Sequence, residues 1–269
     1  MKKNSSLKVL SVVGASIIPF AIAPLIVSCS KKGEDLSNVK MYDKNYRILF
    51  NGAGKILDYD GNATELEIPE YLENNSVTSS PYYGKKIQIK KIGHYAFQWD
   101  ENEDSGRPKL QKVTLPNSIT AIGGYAFENN EISSINIPNS ITKISDRAFV
   151  NNSLTHVTIP DSVIEIGDSA FSYTQLTQVT IPKSVKYLSG FNDTKLTSIT
   201  IPDSVTEIGY DAFSNTQLTQ VTIPDSVTII GAFAFSNTQL TEVTLPQNCR
   251  YYSNSFPINC VVKGGIKIQ

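Results

Sequence analysis

Residues 218–227 read LTQVTIPDSV, and nearly the same ten residues stand earlier in the chain, as LTQVTIPKSV at 176–185 and LTSITIPDSV at 196–205. This stretch opens a longer repeat whose seven copies start 22 residues apart, with one step of 20. Internal repeats of this length indicate a solenoid, in which each repeat covers the apolar face of the next. The repeats open at Leu110, Ile132, Leu154, Leu176, Leu196, Leu218 and Leu240.

The repeat template is L-x-x-V-x-I-P-x-S-V-x-x-I-G-x-x-A-F-x-x-T/N-x. Its first apolar residues alternate with polar ones, which predicts a short strand, and the proline then ends that strand because it has no N–H to donate. A second apolar pair, such as Val205 and Ile208, predicts another inward-facing segment. We expect the glycine to turn the chain and the Ala-Phe pair to close the coil on one helical turn. The phenylalanines should stack as an internal spine: Phe97, Phe127, Phe149, Phe171, Phe191, Phe213 and Phe235.

Through L-x-x-I-x-I-P, S-V-x-x-I-G and A-F, the chain resembles the BspA-like (Treponema-type) class of bacterial leucine-rich repeats. The resemblance covers about residues 110–246 and extends weakly to Glu67. It implies a mainly β, right-handed leucine-rich-repeat solenoid of about seven to eight short coils, roughly 22 residues each. Members often have a cysteine after the phenylalanine, where this chain has residues such as Asn130 and Thr174. We expect these to face inward and to hydrogen-bond the turn backbone.

The chain on either side of the repeats divides into four further segments. Residues 44–109 are predicted to be an N-terminal cap and a first irregular repeat with insertions, and Asn51-Gly52 predicts a β-hairpin with a type I′ turn. The solenoid runs over 110–256, and 257–269 is a C-terminal cap. Residues 29–43 are polar without periodicity, which is typical of a flexible tether.

The first 28 residues are predicted to be a lipoprotein signal peptide, with a basic start and a long apolar stretch. The alternative is an uncleaved membrane helix, against which Pro19 and Pro24 count. The tetrapeptide IVSC at 26–29 resembles the lipobox of bacterial prolipoproteins, which implies that Cys29 is lipidated. Two acyl chains hold a protein at a bilayer, so the predicted location is the extracellular face of the cell membrane.

Composition and motifs argue against several classes of function. The formal net charge is −1 with no clustered basic face, so nucleic acid is not an expected partner. No phosphate-binding glycine loop, zinc spacing or nucleophile elbow is present, and the two histidines lack a nearby partner in sequence. We therefore expect neither an enzyme nor a small-molecule substrate.

The acidic stretch of residues 100–106 is similar to the start of a calcium loop, which places oxygen ligands at alternate positions. Its glycine falls one place late, and position twelve is Gln111 where such a loop has glutamate. We therefore expect no cofactor and favour a solvated acidic insertion. Calcium at Asp100, Asn102 and Asp104 is the alternative.

Two further cysteines lie near the end of the repeats. Cys249 replaces the inward valine of its column, and Cys260 follows about half a coil later. A disulfide is permitted outside the cell, and two buried thiols are the other possibility.

The outward face of the predicted first strand is the main candidate binding surface. Strands about 4.8 Å apart would align its polar residues as ladders, although such ladders also suit a strand that has no ligand. The candidates are Thr114, Asn136, Thr158, Thr180, Thr200, Thr222 and Thr244, with Gln178 and Gln220 beside them.

Exposed aromatics are a secondary candidate surface, because rigidly held rings often anchor partners. They are Tyr95, Tyr125, Phe233 and Trp99. Together these features predict a lipid-anchored surface protein that mediates protein–protein interaction or adhesion, with a protein or glycan on a host cell, matrix or other bacterium as partner. The alternative is a structural or antigenic coat lipoprotein with no specific ligand.

Overall fold

The computed structural model describes residues 36–76, 78–100, 102 and 106–269. The predicted signal peptide, Cys29, part of the predicted tether and Asp104 lie outside the described residues. Residues 35–269 form one compact unit whose buried side chains make a single apolar cluster from Met41 to Phe256. Within the described residues, no helix is long and apolar enough to cross a membrane.

The described residues contain nineteen short strands. In chain order they are β1 (Lys40–Asp43), β2 (Ile48–Asn51), β3 (Lys55–Tyr59), β4 (Glu65–Glu67), β5 (Tyr71–Glu73), β6 (Lys86–Gln88), β7 (Lys91–Ile92), β8 (Lys112–Thr114), β9 (Ala121–Ile122), β10 (Ser134–Ile135), β11 (Lys143–Ile144), β12 (Glu165–Ile166), β13 (Tyr187–Leu188), β14 (Glu207–Ile208), β15 (Ile229–Ile230), β16 (Glu242–Thr244), β17 (Arg250–Tyr252), β18 (Val261–Lys263) and β19 (Ile266–Ile268).

One twelve-stranded sheet runs the length of this unit, in the order β1-β2-β3-β7-β9-β11-β12-β13-β14-β15-β17-β19. From β3 onward its strands pair in parallel, one per coil. They come from the second apolar segment of the repeat, which the sequence left as a possible second strand. The mainly β leucine-rich-repeat solenoid is therefore confirmed, and this sheet, called the long sheet below, is its continuous element.

The first apolar segment, which was expected to be the strand of every repeat, is a strand only towards the two ends. There β8 pairs with β4 and β10, and β16 pairs with β18. In the four repeats that open between Leu154 and Leu218 the segment contains no strand, so the prediction is wrong there. The proline does not explain the difference, because Pro116, Pro138 and Pro246 follow strands. An inter-coil bond that remains in the middle repeats joins Gln175 N to Leu154 O at 2.9 Å.

The predicted phenylalanine spine is confirmed. Successive rings from Phe97 to Phe235 are stacked with centroids 5.1 to 5.8 Å apart, and all seven are fully buried. Phe256 extends the stack by one ring at 5.4 Å, and Tyr59 covers its other end. Because the rings are nearly parallel, each coil must stack in register with the next.

The Ala-Phe pair does not form the predicted helical turn. In the coil of Phe127 the backbone has positive φ at Tyr125 (58°) and Asn129 (61°), and the same two columns repeat in other coils. Glu128 N donates to Tyr125 O, as in a β-turn, while Phe127 N donates to Ala148 O of the next coil at 2.9 Å. The amides pair between coils, and the left-handed residues prevent a helix.

The column glycines are needed for close packing between coils, and positive φ is not the reason for them. A Cβ at Gly231 would lie 2.6 Å from the carbonyl carbon of Gly209, and one at Gly123 would lie 2.6 Å from that of Gly93. Neither has the left-handed backbone that would make glycine a turn residue. The expected role of turning the chain is therefore replaced by close approach of neighbouring backbones.

The folded body begins within the segment predicted as tether 29–43. β1 pairs antiparallel with β2, Met41 is buried, and the buried Asp43 is an acceptor. Asp43 receives hydrogen bonds from Asn45 N, Glu73 N and Asn75 Nδ2, which join the cap to residues thirty positions away. Sequence periodicity could not show that the folded body begins here, because Glu73 and Asn75 lie far from Asp43 in the sequence.

The predicted hairpin is present as β2 and β3, but its turn is not type I′. Neither Asn51 nor Gly52 has positive φ, whereas Gly54 does, at 74°. The Asn51 carboxamide oxygen accepts from Ala53 N and Lys55 N, and this favours a three-residue connection that ends in a left-handed glycine.

Candidate functional site

The predicted threonine face is exposed, but its central part does not lie on a strand. Thr114 is half-buried, the remaining threonines, Asn136, Gln178 and Gln220 are exposed, and Thr114 and Thr244 belong to strands. Thr158, Thr180, Thr200 and Thr222 lie in the segment without strand structure.

An exposed and mostly polar column, which we did not predict, stands one residue before the strands of the long sheet, except that Arg250 is the first residue of β17. Its hydroxyls bond along the stack: Thr120 Oγ1 donates to Lys90 O, and Thr228 Oγ1 donates to Thr206 O at 3.1 Å. The sequence does indicate this exposed column, because two variable positions lie between the apolar residues of the second segment in every repeat. The column consists of Lys90, Thr120, Thr142, Ile164, Lys186, Thr206, Thr228 and Arg250.

Beside the long sheet runs a row of residues that we call the rim. Each rim residue stands two places before a spine phenylalanine and has φ between 54° and 61°. Tyr95 and Tyr125 stack at 4.8 Å, and the Arg147 guanidinium lies 5.4 Å from the Tyr125 ring centroid. Tyr95 is 52% exposed and Phe233 40%, whereas Tyr125 is half-buried. The rim consists of Tyr95, Tyr125, Arg147, Ser169, Asp211 and Phe233.

The 20-residue coil leaves a gap in the rim. This coil is two residues shorter than the others just before its phenylalanine, so Ser189-Gly190 leads directly to Phe191. Arg147 N donates to Asp168 O on one side of the gap, and Asp211 N donates to Ala232 O on the other. The gap therefore lies between Ser169 and Asp211.

Tyrosines and aspartates surround this gap. Tyr187 OH donates to Asp168 Oδ1 at 2.7 Å. The pKa of Tyr173 is raised, mainly by the Asp193 carboxylate and then by burial. Burial raises the pKa of Asp211, the Ser214 hydroxyl opposes this, and the charges of Asp193 and Asp168 add to it. The carboxylates of Asp193 and Asp168 thus both act on Asp211.

The repeat sequence matches the family model described as "BspA type Leucine rich repeat region", in six copies over residues 85–190 and 189–262. The chain belongs to this BspA-type leucine-rich repeat family. The match covers more than half of the chain and includes every rim residue.

Three solved structures similar to this BspA-type chain are of bacterial proteins. A leucine-rich repeat protein from Bacteroides ovatus is 21% identical over 84% of this chain, with a TM-score of 0.48, and the present chain spans 65% of it. A leucine rich cell surface protein from Faecalibacterium prausnitzii is 19% identical over 83% of this chain and 87% of its own, with a TM-score of 0.34. The T. pallidum leucine-rich repeat protein is 17% identical over 85% and 79%, at 0.35. No curated protein matches the chain.

At the column where BspA-type repeats often have cysteine, this chain has buried amides and hydroxyls. Asn130 Oδ1 accepts from Leu110 N at 3.0 Å, and its Nδ2 donates to Phe97 O at 2.8 Å. Thr174 Oγ1 donates to Phe171 O at 2.7 Å. The expectation that this column faces inward and hydrogen-bonds the turn backbone is confirmed.

Trp99 lies in the insertion of the first irregular repeat and packs against the chain itself. Its ring is half-buried, Trp99 Nε1 donates to Arg107 O at 3.0 Å, and Lys109 Nζ lies 4.4 Å from the ring centroid. Asp100 Oδ1 accepts from Asn102 N and Nδ2. In the described part of the chain, no group of three or more His, Cys, Asp or Glu residues is placed to hold a metal ion.

Both cysteines at the end of the BspA-type repeats are free thiols. Cys249 is fully buried, and burial raises its pKa to about 11. Cys260 is half-buried, and burial followed by the charge of Glu242 raises its pKa.

Proposed function

We propose that this chain is a lipid-anchored surface protein that binds a protein or glycan on host cells, matrix or neighbouring bacteria through the outer face of its repeats. The observation that carries the proposal is the exposed column beside the long sheet, whose residues recur at the same place in consecutive coils. Solenoids commonly use such extended surfaces for binding. Membership of the BspA-type repeat family supports the same proposal.

The anchor is tested separately from binding. Cells that produce the full chain are labelled with a fatty acid, alongside cells that produce Cys29→Ser. Label on the wild type alone, together with cleavage of the protein by protease added to intact cells, is the expected result. Label on both chains, or protection from the protease, contradicts the anchor or the surface location.

Binding is tested by capture of host or bacterial surface proteins with residues 35–269. Two matched triple variants separate the faces. In one, Thr180, Thr200 and Thr222 are changed to Lys on the segment before the proline. In the other, called the long-sheet variant, Thr142, Thr206 and Thr228 are changed to Lys in the column that precedes the long-sheet strands. Because both sets are exposed and each adds the same charge, we expect both to fold. Loss of the partner only with the long-sheet variant is the expected result.

A coat protein without a ligand is the second candidate, and it is favoured by the near identity of the repeats at 176–185, 196–205 and 218–227. A coat would capture no partner, and a strain lacking the protein would adhere normally. Those two results together would contradict the proposed binding function and support a coat protein without a ligand.

A further inference from the structure

We infer that a cluster of lysines at the N-terminal end of the long sheet binds the anionic headgroups of the membrane that holds the anchor. This inference rests on the proposed function and adds which side of the folded body faces the bilayer. The cluster, called the lysine corner below, consists of Lys40, Lys55, Lys90 and Lys91.

Strand pairing brings these lysines to the turn that joins β2 to β3. Lys40 of β1 is paired with the last residue of β2, and Lys55 of β3 is paired with Lys91 of β7. Within the turn, Gly54 O accepts hydrogen bonds from Lys90 N at 2.8 Å and from Lys91 N at 3.1 Å. Lysines that are far apart in the sequence therefore surround one turn.

Three of the four lysines lie on the outer face of the long sheet. Lys40, Lys55 and Lys91 are each followed by a residue whose side chain is buried: Met41, Ile56 and Ile92. Successive side chains of a strand point to opposite faces, so these lysines point outward. Neighbouring strands are about 4.8 Å apart and β1 is three steps from β7, so the three lysines fall within roughly 15 Å of one another.

The side chains of the lysine corner are accessible to a partner. Lys40, Lys90 and Lys91 are exposed, and Lys55 is half-buried. None of the four forms an ion pair with a residue that the structure describes, whereas Lys86, Lys112, Lys143 and Lys263 each pair with a glutamate. The lysine corner therefore presents positive charge that the rest of the described chain does not neutralise.

The charge of the lysine corner is opposite to that of the repeats. Residues 110–269 contain 12 acidic and 9 basic residues. Glu70 lies beside Ile89 in the fold, but its carboxylate accepts from Gln88 Nε2 at 2.8 Å. An anionic membrane therefore attracts the lysine corner and repels the repeats, and each lysine at such a surface strengthens binding about fivefold.

The chain enters the folded body at the same turn. Gly52 N donates to Leu36 O at 3.0 Å, and a Cβ at Gly52 would lie only 2.2 Å from Leu36 Cβ. Leu36 stands seven residues after Cys29, and seven residues span at most about 25 Å. A lipid on Cys29 therefore keeps the lysine corner within reach of the headgroups, which favours this membrane over other anionic partners.

Binding at the lysine corner leaves the later coils free for the partner of the proposed function. The exposed column beside the long sheet begins with Lys90 and continues to Arg250. Thr206 and Thr228 of this column belong to coils that are stacked well beyond the lysine corner. The two surfaces are therefore compatible in one molecule.

The probe is a phosphatidylcholine vesicle with a nickel-chelating lipid, prepared with or without phosphatidylglycerol. A histidine tag before residue 30 holds residues 30–269 on the vesicle, so the nickel lipid replaces the acyl chains. A neutral acylating reagent labels accessible lysines, and mass spectrometry measures the rate at each one. We expect Lys40, Lys90 and Lys91 to react several-fold more slowly on phosphatidylglycerol vesicles, and high salt to remove the difference.

The internal controls are exposed lysines of the later coils, Lys183, Lys195 and Lys267. These should react equally on the two kinds of vesicle. Equal rates at the lysine corner on both vesicles, or equal slowing of both sets of lysines, overturn the inference.

Matched triple variants test the affinity. One carries Lys40→Gln, Lys90→Gln and Lys91→Gln, and the control carries Lys183→Gln, Lys195→Gln and Lys267→Gln. Both remove three exposed positive charges, so we expect both to fold. The preference of the tagged protein for phosphatidylglycerol vesicles should fall by about tenfold or more in the first variant and little in the control. No loss in the first variant, or equal losses in both, overturns the inference.

A sulfated glycan is the competing occupant of a basic cluster. Heparin is therefore added to the same protein in the absence of vesicles. If heparin slows acylation of the lysine corner and phosphatidylglycerol vesicles do not, the partner is a glycan and the inference is wrong.

The two proposals fail in different ways, because the nickel lipid replaces the acyl chains. Equal acylation on both vesicles sinks the inference, while a fatty-acid label that depends on Cys29 and capture of a surface partner leave the proposed function. Slower acylation of the lysine corner, without a fatty-acid label on the wild type, supports the binding of headgroups and contradicts the anchor.

Discussion

Three residues after each spine phenylalanine of the regular repeats stands a polar side chain that connects the turn to the core. In Asn152 the carboxamide oxygen accepts from Ile132 N, and the amide donates to the carbonyls of Phe127, Phe149 and Val150. In Thr216 the hydroxyl makes a single bond, to Phe213 O at 2.7 Å. Asparagine therefore joins two neighbouring coils, whereas threonine bonds only within its own.

This difference predicts unequal costs for two substitutions. Thr216→Val keeps the shape and leaves one carbonyl without its donor, so the free energy of unfolding should fall by about 1 kcal/mol. Asn152→Ala leaves a buried N–H and several carbonyls unpaired, so the loss should be about 2–3 kcal/mol. Urea unfolding of both variants measures the difference, and equal losses would contradict the proposed bonding.

Asp211 predicts a pH effect of opposite sign to that of a salt-bridged carboxylate. Its folded-state pKa is raised, by burial first, so the folded protein holds the proton more tightly than the unfolded chain. The ionised form therefore lowers stability above the folded pKa, and this penalty disappears below the unfolded value of about 4. Asp211→Asn should raise the melting temperature at pH 7 and have little effect near pH 3. A loss of stability at pH 7 would be the contrary result.

At the scale of the element, the sequence predicted the features that recur in every repeat. It did not predict features that depend on contacts between residues far apart in the chain. The spine followed directly from the phenylalanine column. The second segment has an apolar pair three residues apart, such as Val205 and Ile208, which is not strand alternation, so periodicity favoured the first segment and did not indicate that β12 and β13 belong to the continuous sheet. The left-handed columns were also hidden, because residues such as Tyr125 and Arg147 do not carry the usual glycine signal.

The candidate site was predictable only in part, for the same reason. Tyr95 and Phe233 were chosen as exposed rings, and both are exposed. Tyr173 was not chosen, because its neighbours Asp193 and Asp211 lie in later coils. The long-sheet column was missed because the segment before the proline was taken as the principal strand.

The spine predicts a graded response to ring removal. Phe171→Ala should lower the free energy of unfolding by about 3–5 kcal/mol, because a fully buried ring is lost between two others. Phe256 is the last ring and is 7% exposed, so Phe256→Ala should cost less. Chemical denaturation measures both, and a larger loss at Phe256 would contradict continuous stacking.

For the molecule as a whole, stability should be distributed over coils that contact only their neighbours. Deletion of residues 218–239 joins Gln217 to Leu240, which reproduces the native Gln239–Leu240 junction. The shortened protein should keep its β-type circular dichroism and unfold with a smaller urea m-value, since less surface is exposed.

Deletion of residues 218–228 is the control, because it removes half a coil and places polar residues at core positions. That protein should not fold cooperatively. Cooperative folding of both deletions would mean that the coils do not stack in register.

The unequal length of the coil that contains Gly190 has a consequence for chains that fold side by side. Because segments such as 196–205 and 218–227 are almost interchangeable, two molecules could exchange coils and bury nearly the same apolar area. An exchange displaced by one whole coil would put a longer turn where Phe171 N normally meets Gly190 O, and would separate Ser172 from Asn192. The irregular coil therefore penalises displaced exchange and favours the correctly aligned monomer.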